Sequence, residues 1–164
     1  MAGGFLARLR GDAGGLRASG SSATEARGPR PLIYLLDTNI CIYALKRHPP
    51  EVLEKLRSIS RSAVAVSVIT VLELRQGAEK SQNPGMAHQK LDFFLSSIRA
   101  LPFDEEAALV AARIRAGLEL QGQPIGDLDS LIAAHALAQD LILVTNNLRE
   151  FQRVPDLRTE NWVS

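Results

Sequence analysis

Leu32 to Leu36 form a short apolar run that stops at the polar triplet Asp37-Thr38-Asn39, and this run-then-stop pattern recurs along the chain. Five apolar residues suit a buried strand. The apolar spacing of Ile40 to Lys46 behind them is helical, with Thr38 or Asn39 as the expected N-cap. After the Pro49-Pro50 break, Glu51 to Ser58 reads as a helix with Val52, Leu53 and Leu56 facing inward. A strand follows over Ala63 to Val68. The next helix opens near Thr70 and is expected to end at Gly77 and the Asn83-Pro84-Gly85 turn. Ala87 to Ser97 has helical spacing and leads into a short strand near Arg99 to Pro102. Asp104 then caps a long helix to about Gln121, with Glu105 and Glu106 in its first turn and Leu109, Val110, Ile114 and Leu118 expected in the core. Beyond the loop Gly122 to Gly126, Asp127-Leu128-Asp129 opens an apolar helix that runs to Ala138. Leu141 to Val144 is the clearest strand, ending at Thr145-Asn146-Asn147. A short helix near Leu148 to Gln152 and an edge strand near Leu157 to Trp162 complete the pattern. Alternating strands and helices predict an α/β fold, a three-layer α/β/α sandwich around a central, mainly parallel sheet of four to five strands.

Composition narrows the class. With 164 residues, 46% of them hydrophobic and 23% charged, the chain has enough apolar material for one globular core. Residues 1–30 differ: they hold seven of the twelve glycines and five arginines, with Phe5 as their one aromatic. Such a segment buries too little surface to offset ordering, so disorder is expected there, ahead of a single domain over residues 31–164. An upstream translation start explains the segment most simply, although an acid-poor, Arg- and Ser-containing leader also looks like an organelle transit peptide. The net charge of +1 conceals a split, because residues 31–164 carry 14 basic and 16 acidic side chains. Such a body lacks the bulk basic charge of a protein that coats nucleic acid. Its single cysteine, Cys41, rules out an internal disulfide and a multi-cysteine zinc site, and its helical position suits a packed thiol. No apolar run reaches the roughly 18 residues of a membrane-spanning helix, and no secretory h-region precedes the domain, so the expected location is the cytoplasm.

Candidate chemistry sits where strands end. In an open parallel sheet the C-terminal strand ends and the following helix N-termini share one edge, where ligands bind. Asp37, Glu73, Asp129 and Asn146 all fall there. Each also has a bland explanation: Asp37 can cap, Thr70-Val71-Leu72-Glu73 fits a capping box, and Asp127 and Asp129 can act as first-turn dipole partners. Taken together they are harder to dismiss, since carboxylates about 4 Å apart repel by roughly 1 to 4 kcal/mol per pair. A divalent cation removes that cost, and all-oxygen ligands select Mg²⁺ or Mn²⁺ over zinc. His48 and His88 fall in exposed contexts and His135 in an apolar helix, so no histidine acid/base pair is available. Dinucleotide and P-loop glycine motifs are absent from the sequence.

Four stretches in order resemble the PIN-domain ribonuclease toxins of the VapC family. They are Leu35-Leu36-Asp37-Thr38-Asn39; Ser67 to Leu74 with Gly77 to Ser81; Pro124-Ile125-Gly126 through Asp129 to Ala136; and Val144 to Asn147 with Arg149-Glu150-Phe151. The resemblance implies a PIN-like sandwich in which Asp37, Glu73 and Asp129 hold Mg²⁺, with Mn²⁺ as substitute. Thr38, Asn39, Thr145 and Asn146 would support the pocket, and Asp127 would give outer support. Where many PIN domains have a fourth acid, this chain has Asn146. The implied activity is metal-assisted hydrolysis of an RNA phosphodiester, tRNA being one candidate, leaving 5′-phosphate and 3′-hydroxyl ends. The implied partners are a VapB-type antitoxin that blocks the site, operator DNA reached only through that antitoxin, and a second copy in a homodimer. A degenerate PIN scaffold that binds RNA and a haloacid-dehalogenase-like phosphatase are the alternatives. The first needs a lost acid and the second needs an aspartate where Asn39 stands.

Overall fold

The computed structural model describes residues 31–164, so the disorder expected over residues 1–30 lies outside the described residues. Five strands form one sheet: β1 (Tyr34–Leu36), β2 (Val64–Ser67), β3 (Arg99–Leu101), β4 (Ile142–Val144) and β5 (Thr159–Glu160). Their order is β3-β2-β1-β4-β5 and every pairing is parallel. The helices are α1 (Thr38–Lys46), α2 (Pro50–Ser58), α3 (Val68–Glu79), α4 (Pro84–Leu95), α5 (Glu105–Leu120), α6 (Asp127–Ala138) and α7 (Leu148–Phe151). A 3-10 turn over Arg61–Ala63 precedes β2.

Both faces of the sheet are covered, because alternate residues of each central strand point to opposite sides. Leu35 and Leu143 pack with Ile114, Leu118 and Ile132 of α5 and α6. Leu36 and Val144 pack with Ile40, Val52, Leu74 and Leu91 of α1 to α4. This is the expected α/β/α sandwich, with five strands and no antiparallel member among the described residues.

Several boundaries differ from expectation for identifiable reasons. The N-cap of α1 is Asp37, not Thr38 or Asn39: its backbone is extended and its Oδ1 accepts the Thr38 N–H at 2.8 Å. Helix α3 starts at Val68 because the hydroxyl of Ser67 caps it, accepting the Ile69 N–H at 3.1 Å. Thr70 is thus inside the helix, and Glu73 cannot be the closing member of a Thr70 capping box. Gly77 does not end α3 either, since the helix continues to Glu79. On α5 the buried side is built from Ala107, Ala111, Ile114 and Leu118, while Leu109 is 55% exposed. Asp104 caps that helix as expected, its Oδ1 accepting the Ala107 N–H at 2.9 Å.

The two leucines give a direct test of this packing. Leu143→Ala empties a fully buried site on β4 and should cost about 2 to 5 kcal/mol in urea unfolding. Leu109→Ala should stay within about 0.5 kcal/mol of the parent, and a loss as large as that of Leu143→Ala would show that α5 is misoriented.

Candidate active site

Strand β1 is the point from which the sheet grows in both directions, with β2 on one side and β4 on the other. At such a switch point the adjacent connections diverge and leave a crevice beyond the strand ends. Asp37 stands there, immediately after β1, its N–H bonded to the Val144 carbonyl at 2.9 Å. Both of its carboxylate oxygens are engaged: Oδ1 by the Thr38 N–H and Oδ2 by the Thr145 hydroxyl at 2.8 Å. The Asn147 N–H in turn donates to the Thr145 oxygen at 3.0 Å. The strand end of β4 therefore locks the rotamer of the acid at the end of β1.

Glu73 comes from α3. It lies on the second turn of that helix, and the Thr38 hydroxyl donates to its Oε1 at 2.7 Å. One residue thus bridges the first two acids, its amide held by Asp37 and its hydroxyl holding Glu73. Asp129 enters from the first turn of α6, whose N-cap is Gly126. A Cβ at residue 126 would come within 3.1 Å of Asp129 Oδ2, so the glycine leaves the carboxyl room to lie against the backbone. That contact gives the Pro124-Ile125-Gly126 stretch a physical role.

The acids lie close enough for their charges to act on one another. Burial pushes the Asp37 carboxyl above its ordinary value and Glu73 adds to the push, while bonds from Thr145 and Thr38 oppose it. Asp129 is pushed up to about 7. Burial is the main cause, followed by a hydrogen bond with Glu150 and by the charges of Asp37, Glu150 and Glu73. Glu150, in the first turn of α7, is a fourth acid that the sequence reading quoted in a motif without assigning it to the site. The signal was present: Glu150 lies on the first turn of a helix that follows the end of β4, and Asp129 likewise lies on the first turn of α6. Among the described residues, no three acid, histidine or cysteine side chains already close as a metal cage. The acids instead line an open, oxygen-only edge with excess negative charge, and that donor chemistry fits a hard divalent ion.

The remaining candidates divide. Thr38 and Thr145 bind the acids directly. Asn146 donates its amide to the Tyr43 hydroxyl at 2.9 Å, which ties the β4 corner to α1. Asn39 is exposed on α1. Asp127 does not support the acids: it is exposed and paired with Arg115 of α5. No described histidine joins the site. His48 is exposed, His88 pairs with Glu79 at 2.7 Å, and His135 is fully buried with its ring held below its ordinary value by desolvation. The Cys41 thiol is buried and pushed far up by burial and by Asp37, so it is no nucleophile.

An acid raised in the folded state alone keeps a proton that the unfolded chain has already lost, so the fold loses stability as pH rises from the unfolded value toward the folded one. In EDTA the melting temperature should therefore fall between about pH 4 and about pH 7 and then level, and Asp129→Asn should reduce that fall. Equal slopes in the two proteins would remove Asp129 from the crowded set.

The sequence profile of the PIN domain matches residues 34–157. The chain is 45% identical over 131 residues to the tRNA(fMet)-specific endonuclease VapC of Shigella flexneri, covering 80% of this chain and 98% of that one. It is 48% identical to ribonuclease VapC2 of Haemophilus influenzae, covering 80% of this chain and 99% of that one. Among solved structures, DNA-bound VapBC from Salmonella typhimurium superposes with a TM-score of 0.77 at 41% identity, covering 81% of this chain and 100% of that chain. VapBC2 from Rickettsia felis, bound to a fragment of its promoter, gives 0.75 at 40% identity and covers 80% and 100%. With the strand-end acids, the α/β/α sandwich and these likenesses in register, the chain belongs to the VapC family of PIN-domain proteins.

Proposed function

We propose that this chain is the endoribonuclease toxin of a VapBC toxin–antitoxin pair, a Mg²⁺-dependent enzyme acting on RNA in the cytoplasm, with tRNA as the substrate class. The observation that carries this reading is the set of acids at one sheet edge, Asp37 and Glu73 bridged by Thr38, with Asp129 close enough for their charges to act on its carboxyl. A fold that stores such repulsion at its ligand edge gains most from a cation. Asp37, Glu73 and Asp129 would hold the ion, with Glu150 beside Asp129. Mn²⁺ would substitute.

When bound, the ion would neutralise charge on the scissile phosphate and lower the pKa of an attacking water. The chain's own contribution is the orientation of the acids. Thr145 and the Thr38 amide hold both oxygens of Asp37, so its carboxylate cannot rotate away. Thr38 also keeps Glu73 turned toward Asp37. Asp129 lies against Glu150, whose hydrogen bond and charge act on its carboxyl, and it would give up its proton on holding the ion. The products would carry 5′-phosphate and 3′-hydroxyl ends.

The antitoxin's seat in this reading lies apart from the acids. A groove of about 800 Å³ between α1, α2 and α4 is lined by Leu45, Leu53, Leu56, Ile59, Phe94 and Ile98, and Phe93 stands 83% exposed at its edge. Arg47, Arg57, Arg61 and Lys90 surround it. An amphipathic VapB helix with acidic flanks suits that chemistry, and a basic residue beyond the helix could then reach the carboxylates in the ion's place. DNA binding is assigned to the complex, as in the two DNA-bound VapBC structures. The homodimer belongs to the same proposal, with Val68 and Leu72 exposed one turn apart on α3.

Sequencing RNA 5′ ends after inducing the chain without its partner should reveal discrete cuts. Asp37→Asn and Asp129→Asn should each lower cleavage by more than about a hundredfold, beyond the usual cost of losing an outer hydrogen-bond partner. Either purified variant cutting at the parent rate would sink the assignment. Phe93→Asp should weaken antitoxin binding at least about tenfold while leaving the free chain's cleavage intact, since truncating an exposed aromatic anchor acts on the complex alone. Unchanged affinity would place the antitoxin elsewhere.

A further inference from the structure

Glu73 and Asp129 stand on different helices, and something has to fix their separation. Glu73 lies six residues after Ser67, and Asp129 lies six residues before His135. At those two residues a buried hydrogen bond joins the elements, His135 Nδ1 to Ser67 Oγ at 2.8 Å, with both side chains 0% exposed. The same Ser67 oxygen caps α3 by accepting the Ile69 N–H. The Ser67 hydroxyl can also donate to Nδ1 or accept from it, according to the tautomer of His135.

Packing alone does not account for a histidine here. Its Nε2 is buried without a hydrogen-bond partner, and the ring meets Phe103 edge to face at a centroid distance of 5.5 Å. An apolar side chain would avoid that unpaired group. The rest of this stretch of α6 is smooth, since Ala133, Ala134 and Ala136 are fully buried methyl groups that let the helix approach closely but interlock little. The His135–Ser67 bond is the directional contact between α6 and the capped start of α3. Six helical residues carry its effect about 9 Å to each acid.

We propose that His135 is a positioning residue: through Ser67 it sets the register of α6 against α3 and with it the separation of the Glu73 and Asp129 carboxylates. The inference rests on the reading of those two acids as site residues.

The test uses His135→Leu, which keeps the volume and removes the bond, and His135→Asn, whose side-chain oxygen falls near the place of Nδ1. Metal-free melting, Mn²⁺ affinity by calorimetry, and kcat and KM on RNA are measured for each. His135→Leu should melt at or above the parent, bind Mn²⁺ about 10- to 100-fold more weakly and lose kcat with KM held, as expected for a group that orients ligands without touching them. His135→Asn should regain most of the Mn²⁺ affinity. If His135→Leu does not fold, His135→Phe removes the same bond with a ring left in place and the Ser67 cap of α3 untouched, and should show the same weakening. Parent-like Mn²⁺ binding in the bond-deleted variant, or a loss that only tracks stability with asparagine no better than leucine, overturns the proposal. Asp129→Asn serves as control: if it too binds Mn²⁺ like the parent, the site reading itself has failed, whereas weak binding there with normal binding in His135→Leu removes His135 alone.

Discussion

Carboxylates gathered beyond the end of a buried strand repel one another, and in a partly desolvated crevice that repulsion is poorly screened. The residues around β1 hold the acids in place against this force. Asp37 is pinned by the β4 corner through Thr145 and by its own helix through the Thr38 amide. Glu73 is drawn in by Thr38, and Asp129 is seated against Gly126. The apolar layers on both faces of the sheet supply the rigidity that lets these few polar bonds fix the carboxylates. The result is a site under electrostatic load.

The same arrangement explains why capping and chemistry need not compete. Asp37 does cap α1, so the modest structural role read for it is real. Only one of its oxygens serves the helix; the other faces the β4 corner, and the carboxylate as a whole still lies at the switch point. For Glu73 the modest role fails, because Ser67 begins α3 three residues before the expected start and moves the glutamate out of the first turn. That shift frees its carboxylate to meet Thr38.

The layer architecture and element order were legible because short apolar runs alternate with helical spacing over the whole domain. Helix starts were less so, since Asp37, Thr38 and Asn39 are all competent caps, as are Ser67 and Thr70, and only three-dimensional pairing selects between them. Leu109 looked like core because leucine usually is, yet the side of α5 that faces the core is Ala107, Ala111, Ile114 and Leu118. Asp37, Glu73 and Asp129 stood out in the sequence from their positions after strands or at a helix N-terminus and from family resemblance. Glu150 was passed over because Asn146 occupied the expected corner, and its partnership with Asp129 depends on where α7 turns back over that corner. His135 was correctly read as buried, but the Ser67 bond that gives its polarity a purpose spans 68 residues and leaves no local sequence pattern.

The most direct test of the stored repulsion is a pair of thermal melts, parent and Asp129→Asn, each with EDTA and with millimolar Mn²⁺. An ion that binds only the folded state must raise stability by RT ln(1 + [L]/Kd), and neutralising one crowded acid must relieve the metal-free form. The account predicts that Mn²⁺ raises the parent's melting temperature clearly, and that Asp129→Asn melts at or above the metal-free parent and gains much less from the ion. A parent indifferent to Mn²⁺, together with an Asp129→Asn destabilised by about 0.3 to 1 kcal/mol as expected for a lost helix-dipole partner, would contradict it.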